Sequence, residues 1–88
     1  MSESNLEKSI FGDMANLEKS LTEDHSGDKA RAMIDYFKVV AEASDQRVGV
    51  TEDPNDRKLI QELAQGFRAS QRIIAHVWET AHGTVLVH

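Results

Sequence analysis

One apolar pattern in the C-terminal half most constrains what this chain can fold into. Asp53 followed by Pro54 is typical of an N-cap and a first helical residue, and Gly83 suits a C-terminal cap. Between these signals, apolar or small residues recur at alternating steps of three and four, as on one face of a helix. They are Ile60, Leu63, Phe67, Ser70, Ile74, Val77 and Ala81. The pattern predicts a helix over residues 54–82, roughly 43 Å long at about 1.5 Å per residue.

Two shorter helices are predicted upstream, over about residues 5–23 and 28–46. Ser4 and Glu7 have the spacing of a capping box at the start of the first, and Gly49 is expected to end the second stretch. Each helix has its own apolar row at helical spacing. The first row is Leu6, Ile10, Met14, Leu17 and Leu21; the second is Ala30, Met33, Ile34, Phe37, Val40 and Ala41.

These elements predict an all-α fold, either a small helical hairpin or a three-helix arrangement with a long C-terminal helix. Strand-like alternation of β-branched residues is absent until the short apolar tail at 84–88. The 88 residues are too few for more than one ordinary domain, so we expect a single helical domain over 1–88. A core of this size gives only marginal stability on its own, and the chain contains no cysteine that could form a disulfide.

Charge and hydropathy argue against several classes of partner. The formal net charge is −5, whereas binding to nucleic acid or to an anionic membrane needs clustered Lys and Arg. The longest apolar runs are a few residues, far below the ~20 that cross a bilayer. The first residues lack the basic stretch and apolar run of a secretory signal. We therefore expect a cytoplasmic protein with no membrane insertion.

Two motifs suggest chemistry, and both have a simpler interpretation. Asp24-His25-Ser26 contains triad residues, but adjacent residues on a loop cannot form a relay of hydrogen bonds, so Ser26 is expected to cap a helix. His76, Glu79 and His82 lie on one side of the third helix, yet a di-iron site needs further inward carboxylates that the sequence lacks. We expect no catalytic residue, no metal site, no cofactor and no enzymatic activity.

The length of the third helix indicates an interaction surface. Helices of about 18 residues span roughly 27 Å and cannot cover all of it. We therefore expect its last turns and the tail to lack cover within the chain, with Trp78 and Ile74 as an anchor for a partner. Alternatively, the tail folds back over this helix end.

Gly66 and Ser70 on the apolar side would let another helix approach closely, from this chain or from a partner.

The C-terminal end also carries a family resemblance. It reads Ile73-Ile74-x-x-Val77-Trp78-x-x-x-His82-Gly83-Thr84-Val85-Leu86-Val87. This run resembles the end of the small helical E-type co-chaperones for the type III secretion needle subunit of Gram-negative bacteria. The likeness covers about residues 52–87, whereas residues 1–51 match only in being helical and charged.

The resemblance implies a cytoplasmic protein with a helical-hairpin core that pairs with a tetratricopeptide-like helical chaperone. The two together would hold the needle subunit as a soluble monomer before export, by covering its polymerisation surface without chemistry. Alone, the chain could form a homodimer. The partner-binding residues that we carry over are Ile73, Ile74, Val77, Trp78, Val85 and Leu86.

Three other interpretations remain open at this point. The chain could itself be a self-assembling needle or inner-rod subunit, for which Asp53-Pro54-Asn55 would form the turn of a hairpin. It could be a generic helical interaction module that self-dimerises through the third helix. A metal-dependent enzyme or sensor using His76, Glu79 and His82 is the third.

Overall fold

The computed structural model describes residues 16–88, which form three α-helices joined by short connections. The helices are α1, Leu17–Glu23; α2, Asp28–Val50; and α3, Pro54–His82. The prediction of an all-α fold with a long C-terminal helix is confirmed. The first part of the predicted helix over 5–23 lies outside the described residues.

Both ends of α3 form as the sequence predicts. The Asp53 side chain accepts hydrogen bonds from the backbone N–H groups of Asn55, at 2.8 Å, and Asp56, at 3.3 Å. Pro54 occupies the first turn, where its missing N–H has no consequence. Gly83 adopts a left-handed conformation with φ of 66°, and its N–H closes the last turn onto the carbonyl of Glu79.

The start of α2 is capped mainly by Asp24. Its two carboxylate oxygens accept from the backbone N–H groups of Lys29, at 3.2 Å, and Ala30, at 3.0 Å. Ser26, the predicted cap, accepts only from Asp28 N, at 3.2 Å. Asp24 is buried, and these bonds satisfy the charged group in its buried position.

Helix α2 runs through Gly49 to Val50, beyond the predicted end at about residue 46. A glycine within a helix costs about 1 kcal/mol relative to alanine but does not break the hydrogen-bond ladder. The helix instead ends where the backbone becomes extended, at Thr51, shortly before Pro54. The residue before a proline is restricted to extended conformations, so the stop signal is the Asp53-Pro54 pair.

The core lies at one end of an antiparallel α2–α3 hairpin. There, α1, the start of α2, the end of α3 and the tail meet around one cluster of buried residues. Its members are Leu21, Ala30, Met33, Ile34, Phe37, Ile74, Trp78 and Leu86. Toward the α2–α3 connection, the buried apolar residues in the described part of the chain are only Ala41 and Ala64. The two ends of the hairpin therefore differ sharply in packing.

The face of α3 that meets α2 is rotated from the predicted row. Ala64, Ile74 and Trp78 are its buried residues, and Gln71, between them, donates its side-chain amide to the carbonyl of Ile34 at 3.1 Å. Predicted members Leu63, Ser70 and Val77 each precede a residue of this contact row by one position. They consequently lie beside the α2–α3 interface.

Candidate partner-binding site

The C-terminal end of α3 is covered by the chain itself. Trp78 is only 5% exposed, and its indole N–H donates to the carbonyl of Asp24 at 2.8 Å. Its ring stacks on that of His82, with centroids 4.3 Å apart. The expectation that the last turns of α3 lack cover is therefore wrong for Ile74 and Trp78.

The tail folds back over this end, which was the alternative that the sequence left open. Leu86 is buried against the core, and its backbone N–H donates to Glu79 Oε2 at 2.9 Å. The Arg31 guanidinium donates to the carbonyl of Val87 at 3.3 Å. One apolar side chain and two hydrogen bonds thus attach the tail to α2 and α3.

The six residues carried over as partner contacts divide into two groups. Ile74, Trp78 and Leu86 belong to the core, and Val77 is partly buried against it. Ile73 and Val85 reach solvent, with exposures of 55% and 75%. A partner role for any of the six stays a prediction. In this conformation, only the last two present most of their side chain.

The side chains of the His76-x-x-Glu79-x-x-His82 motif have separate roles. Glu79 accepts from the tail, and His82 Nε2 lies 2.7 Å from the carbonyl oxygen of Leu21, which joins α1 to α3. His76 is exposed. Within residues 16–88, no three His, Asp or Glu side chains converge as a metal site would require.

Over the same residues, none of the helices has the length and apolar character needed to cross a membrane.

Among residues 16–88, exposed ion pairs lie outside the core. The guanidinium of Arg68 in α3 donates to the carboxylate of Asp45 in α2, and this hydrogen bond raises the pKa of Arg68. Arg31 bonds Asp28 at 2.6 Å within the first turns of α2, and this hydrogen bond lowers the pKa of Asp28. Such exposed pairs contribute little stability, but the second holds Arg31 beside the tail.

An apolar groove opens between α2 and α3 at the other end of the hairpin. We call it the α2–α3 groove. It is lined by Phe37, Leu59, Glu62, Leu63, Gly66, Phe67 and Ser70. Leu59 and Leu63 are 57% and 49% exposed, although both are large apolar side chains. The stacked rings of Phe37 and Phe67, with centroids 6.0 Å apart, form the part nearest the core.

Two small residues shape the middle of the groove. Gly66 has no side chain, and apart from its own helix backbone and chain neighbours no described atom lies within 4 Å of the position that its Cβ would occupy. Ser70 turns its hydroxyl back to the carbonyl of Gly66, at 2.9 Å, and so offers no free polar group there. A second helix could approach the α3 backbone closely at this point.

Sequence reasoning found only part of this groove. Gly66 and Ser70 were identified as a place for close helix approach, whereas Leu63 was interpreted as an ordinary member of the packed row. Two leucines one turn apart, followed by two small residues on the same side, are the signal that could have located it. The sequence does not show that Phe37 is the residue of α2 that lines the groove with them.

Fold and groove define a small all-α protein whose helical hairpin is packed at one end and open at the other. The chain matches the family described as type III secretion system regulatory protein HrpD6 over residues 3–80, and it belongs to that family. This membership supports a role in type III secretion, and it extends to the N-terminal half that the resemblance left uncovered. Neither a curated protein nor a solved structure matches the chain significantly.

Proposed function

We propose that this chain is a cytoplasmic co-chaperone of type III secretion that pairs with a tetratricopeptide-like chaperone. Together the two would keep the needle subunit soluble and unpolymerised before export. Membership of a type III secretion regulatory family supports the pathway. The α2–α3 groove is the observation that carries the binding role, because it presents half-exposed leucines that no described residue covers.

The shape of the groove favours a helical partner. From Leu59 to Ser70, α3 rises roughly 17 Å, about three turns, which matches the apolar face of a docked amphipathic helix. Gly66 and Ser70 permit close contact in the middle, and Leu59 and Leu63 supply apolar area at one end. A tetratricopeptide-like chaperone consists of helices and could supply such a face.

Ile73 and Val85 remain in the proposed partner surface. Ile73 follows Ser70 by three residues on α3, so it continues the open row beyond the groove. Val85 is exposed on the tail, directly before Leu86 and Val87, whose backbone groups anchor the tail. Ile74, Trp78 and Leu86 would act indirectly, by holding the end of α3 in place.

The mechanism would be steric and would need no chemistry. Burial of a leucine stabilises by about 1.5–3 kcal/mol when complete, so each half-exposed leucine would add roughly 1 kcal/mol to a complex. Binding to the folded chain would also raise its marginal stability, because a ligand of the native state shifts the folding equilibrium. A small protein of this kind would gain order from the partner that it serves.

Reconstitution tests the proposal. The chain, the tetratricopeptide-like chaperone and the needle subunit of the same secretion system are co-expressed, and the complex is sized by chromatography with light scattering. We expect a discrete three-chain complex in which the needle subunit does not polymerise. The control is the needle subunit with the chaperone alone, which should polymerise or precipitate. Absence of any complex, or fibres formed by this chain by itself, would contradict the proposal.

A further inference from the structure

Within the described residues, one face of α3 is open from the start of the helix and is closed toward its end by α1. Leu17 of α1 shares a hollow with Val77 and Ala81 of α3, and this hollow begins at His76. Ahead of it, the same face carries large apolar side chains that are about half exposed or more. They are Leu59, Leu63 and Ile73. The open stretch of this face therefore extends from the start of α3 to about His76.

The residues of the open stretch are arranged symmetrically about Gly66. Gly66 lies twelve residues after Pro54, where α3 begins, and ten residues before His76. Leu59 precedes it by seven residues and Ile73 follows it by seven. Seven residues make about two turns of helix, roughly 10 Å, and return a side chain to nearly the same face. Two large apolar residues thus flank the glycine at equal distances.

This arrangement is complementary to a second copy of itself. When two α3 helices cross antiparallel at Gly66, Leu59 of each copy meets Ile73 of the other, as a two-fold contact requires. The backbones are closest at Gly66, where no described atom beyond its own helix backbone and chain neighbours occupies the Cβ position. Among the residues that line the groove, the charged one is Glu62. It lies level with Ser70 of the other copy, so the two Glu62 carboxylates stay about 12 Å apart along the helices.

The area available sets the strength of such a pair. The open stretch is roughly 33 Å long, and a helix presents a strip about 10 Å wide, so the two copies together would bury on the order of 700 Å². Stable interfaces bury about 1,200 Å² or more, and smaller ones belong to weak, transient complexes. The expected pair is therefore weak and reversible.

From this symmetry we propose that the free chain pairs with a second copy of itself through α3, antiparallel and centred on Gly66. The dissociation constant is on the order of 0.1 mM. In the pair, the α3 helix of each copy covers the α2–α3 groove of the other. A chaperone helix that binds the groove has to replace that second copy. This last consequence rests on the proposed function, whereas the pairing rests on the residues of this chain alone.

The absence of cysteine allows the register of the pair to be tested by disulfide formation in the full chain. Under mild oxidation at about 1 mM protein, Gly66→Cys should cross-link to itself, because residue 66 lies on the two-fold axis. Leu59→Cys should cross-link only when mixed with Ile73→Cys, because the two copies of residue 59 lie roughly 21 Å apart. Gln61→Cys, at an exposed position off this face, is the control for random collisions.

Two results of this experiment contradict the pairing. Leu59→Cys that links to itself as fast as Gly66→Cys would show a parallel pair. Yields for Gly66→Cys no higher than for Gln61→Cys would show that the two copies do not meet at this face.

A charge exchange at the axis tests the same contact without cross-linking. Gly66→Lys and Gly66→Glu each bring two like charges together, so sedimentation equilibrium should show dissociation constants at least tenfold higher than for the unaltered chain. An equimolar mixture of the two should pair again, because opposite charges then meet. Gln61→Lys should pair as the unaltered chain does.

The variants at residue 66 should keep the fold, because the site is open and glycine is the weaker helix former. Circular dichroism checks this. An unaltered chain that stays monomeric up to about 1 mM would overturn the proposal, and so would a mixture that fails to pair.

Competition with the chaperone has its own readout. Saturating tetratricopeptide-like chaperone should convert the paired chain into a complex of one chain and one chaperone, measured by sedimentation. A complex that retains two copies of this chain would overturn the competition and leave the pairing intact. Failure of the chaperone to bind at all would count against the proposed function and not against the pairing.

Discussion

The two ends of α3 carry similar apolar patterns and have different surroundings. At the C-terminal end, Ile74 and Trp78 pack against α1, α2 and the tail, and polar bonds hold each of these in place. At the N-terminal end, Leu59 and Leu63 face mostly solvent beside a single neighbouring helix. The difference arises from the number of elements that reach each end. We infer that the covered end maintains the fold and that the open end is available for binding.

The largest expected effect concerns the covered end. Trp78→Ala should lower the free energy of unfolding by roughly 3–5 kcal/mol, because removal of a buried indole leaves a large cavity in the core. Leu63→Ala should cost less than about 1 kcal/mol, because half of that side chain is already in water. Urea denaturation followed by circular dichroism measures both. Equal losses at the two sites would remove the distinction between the ends.

Two glycines provide a second contrast, of intermediate size. Gly27 has a φ of 81°, and a Cβ there would lie 2.7 Å from Leu86 Cδ1, so Gly27→Ala should destabilise by about 1–2 kcal/mol or more. Gly49 lies within α2 near the open end, and no described atom beyond its own helix backbone and chain neighbours lies within 4 Å of its Cβ position. Gly49→Ala should stabilise by about 0.5–1 kcal/mol. Thermal melts of the two variants should shift in opposite directions, and a shared direction would contradict this contrast.

The smallest expected effect is a pH dependence at the covered end. Arg31 lowers the pKa of Asp28 in the folded chain, so this carboxylate contributes stability above its unfolded pKa of about 4. That contribution is lost as the pH falls through the lower folded pKa. Asp28→Asn should therefore show a slightly weaker loss of stability between neutral and acidic pH than the unaltered chain. Asp35→Asn, an exposed site farther along α2, is the control in the same series of melts.

Local signals in the sequence were sufficient to predict the helices of the described part. The two ends of α3 are set by Asp53, Pro54 and Gly83. Each of these residues caps or starts the helix turn next to it, so both ends could be predicted from local chemistry. Coverage depends on distant contacts, and the sequence placed the uncovered surface at the wrong end of α3 for that reason. Nothing local indicates that Leu86 returns to Gly27 and the core, or that Trp78 finds the carbonyl of Asp24.

The partner-facing residues were hardest to predict, because core and interface residues share one composition. At two places the predicted apolar row on α3 differs by one residue from the row that is buried against the rest of the chain. The prediction named Leu63 and Val77, whereas the buried residues are Ala64 and Trp78. A displacement of one residue turns a helical side chain by about 100°, enough to exchange a buried position for an exposed one. Only the packing against α2 decides which of two neighbouring residues is buried and which is exposed.

The central claim, that the open end binds the partner, is tested most directly by calorimetric affinity for the tetratricopeptide-like chaperone. Leu63→Asp should weaken binding about tenfold or more, since a charge placed in an apolar contact costs at least about 1.4 kcal/mol. Val39→Asp, an equally drastic change at an exposed apolar residue outside the groove, should leave affinity nearly unchanged. Unaltered binding by Leu63→Asp together with a loss in Val85→Asp would contradict the account and place the interface at the tail.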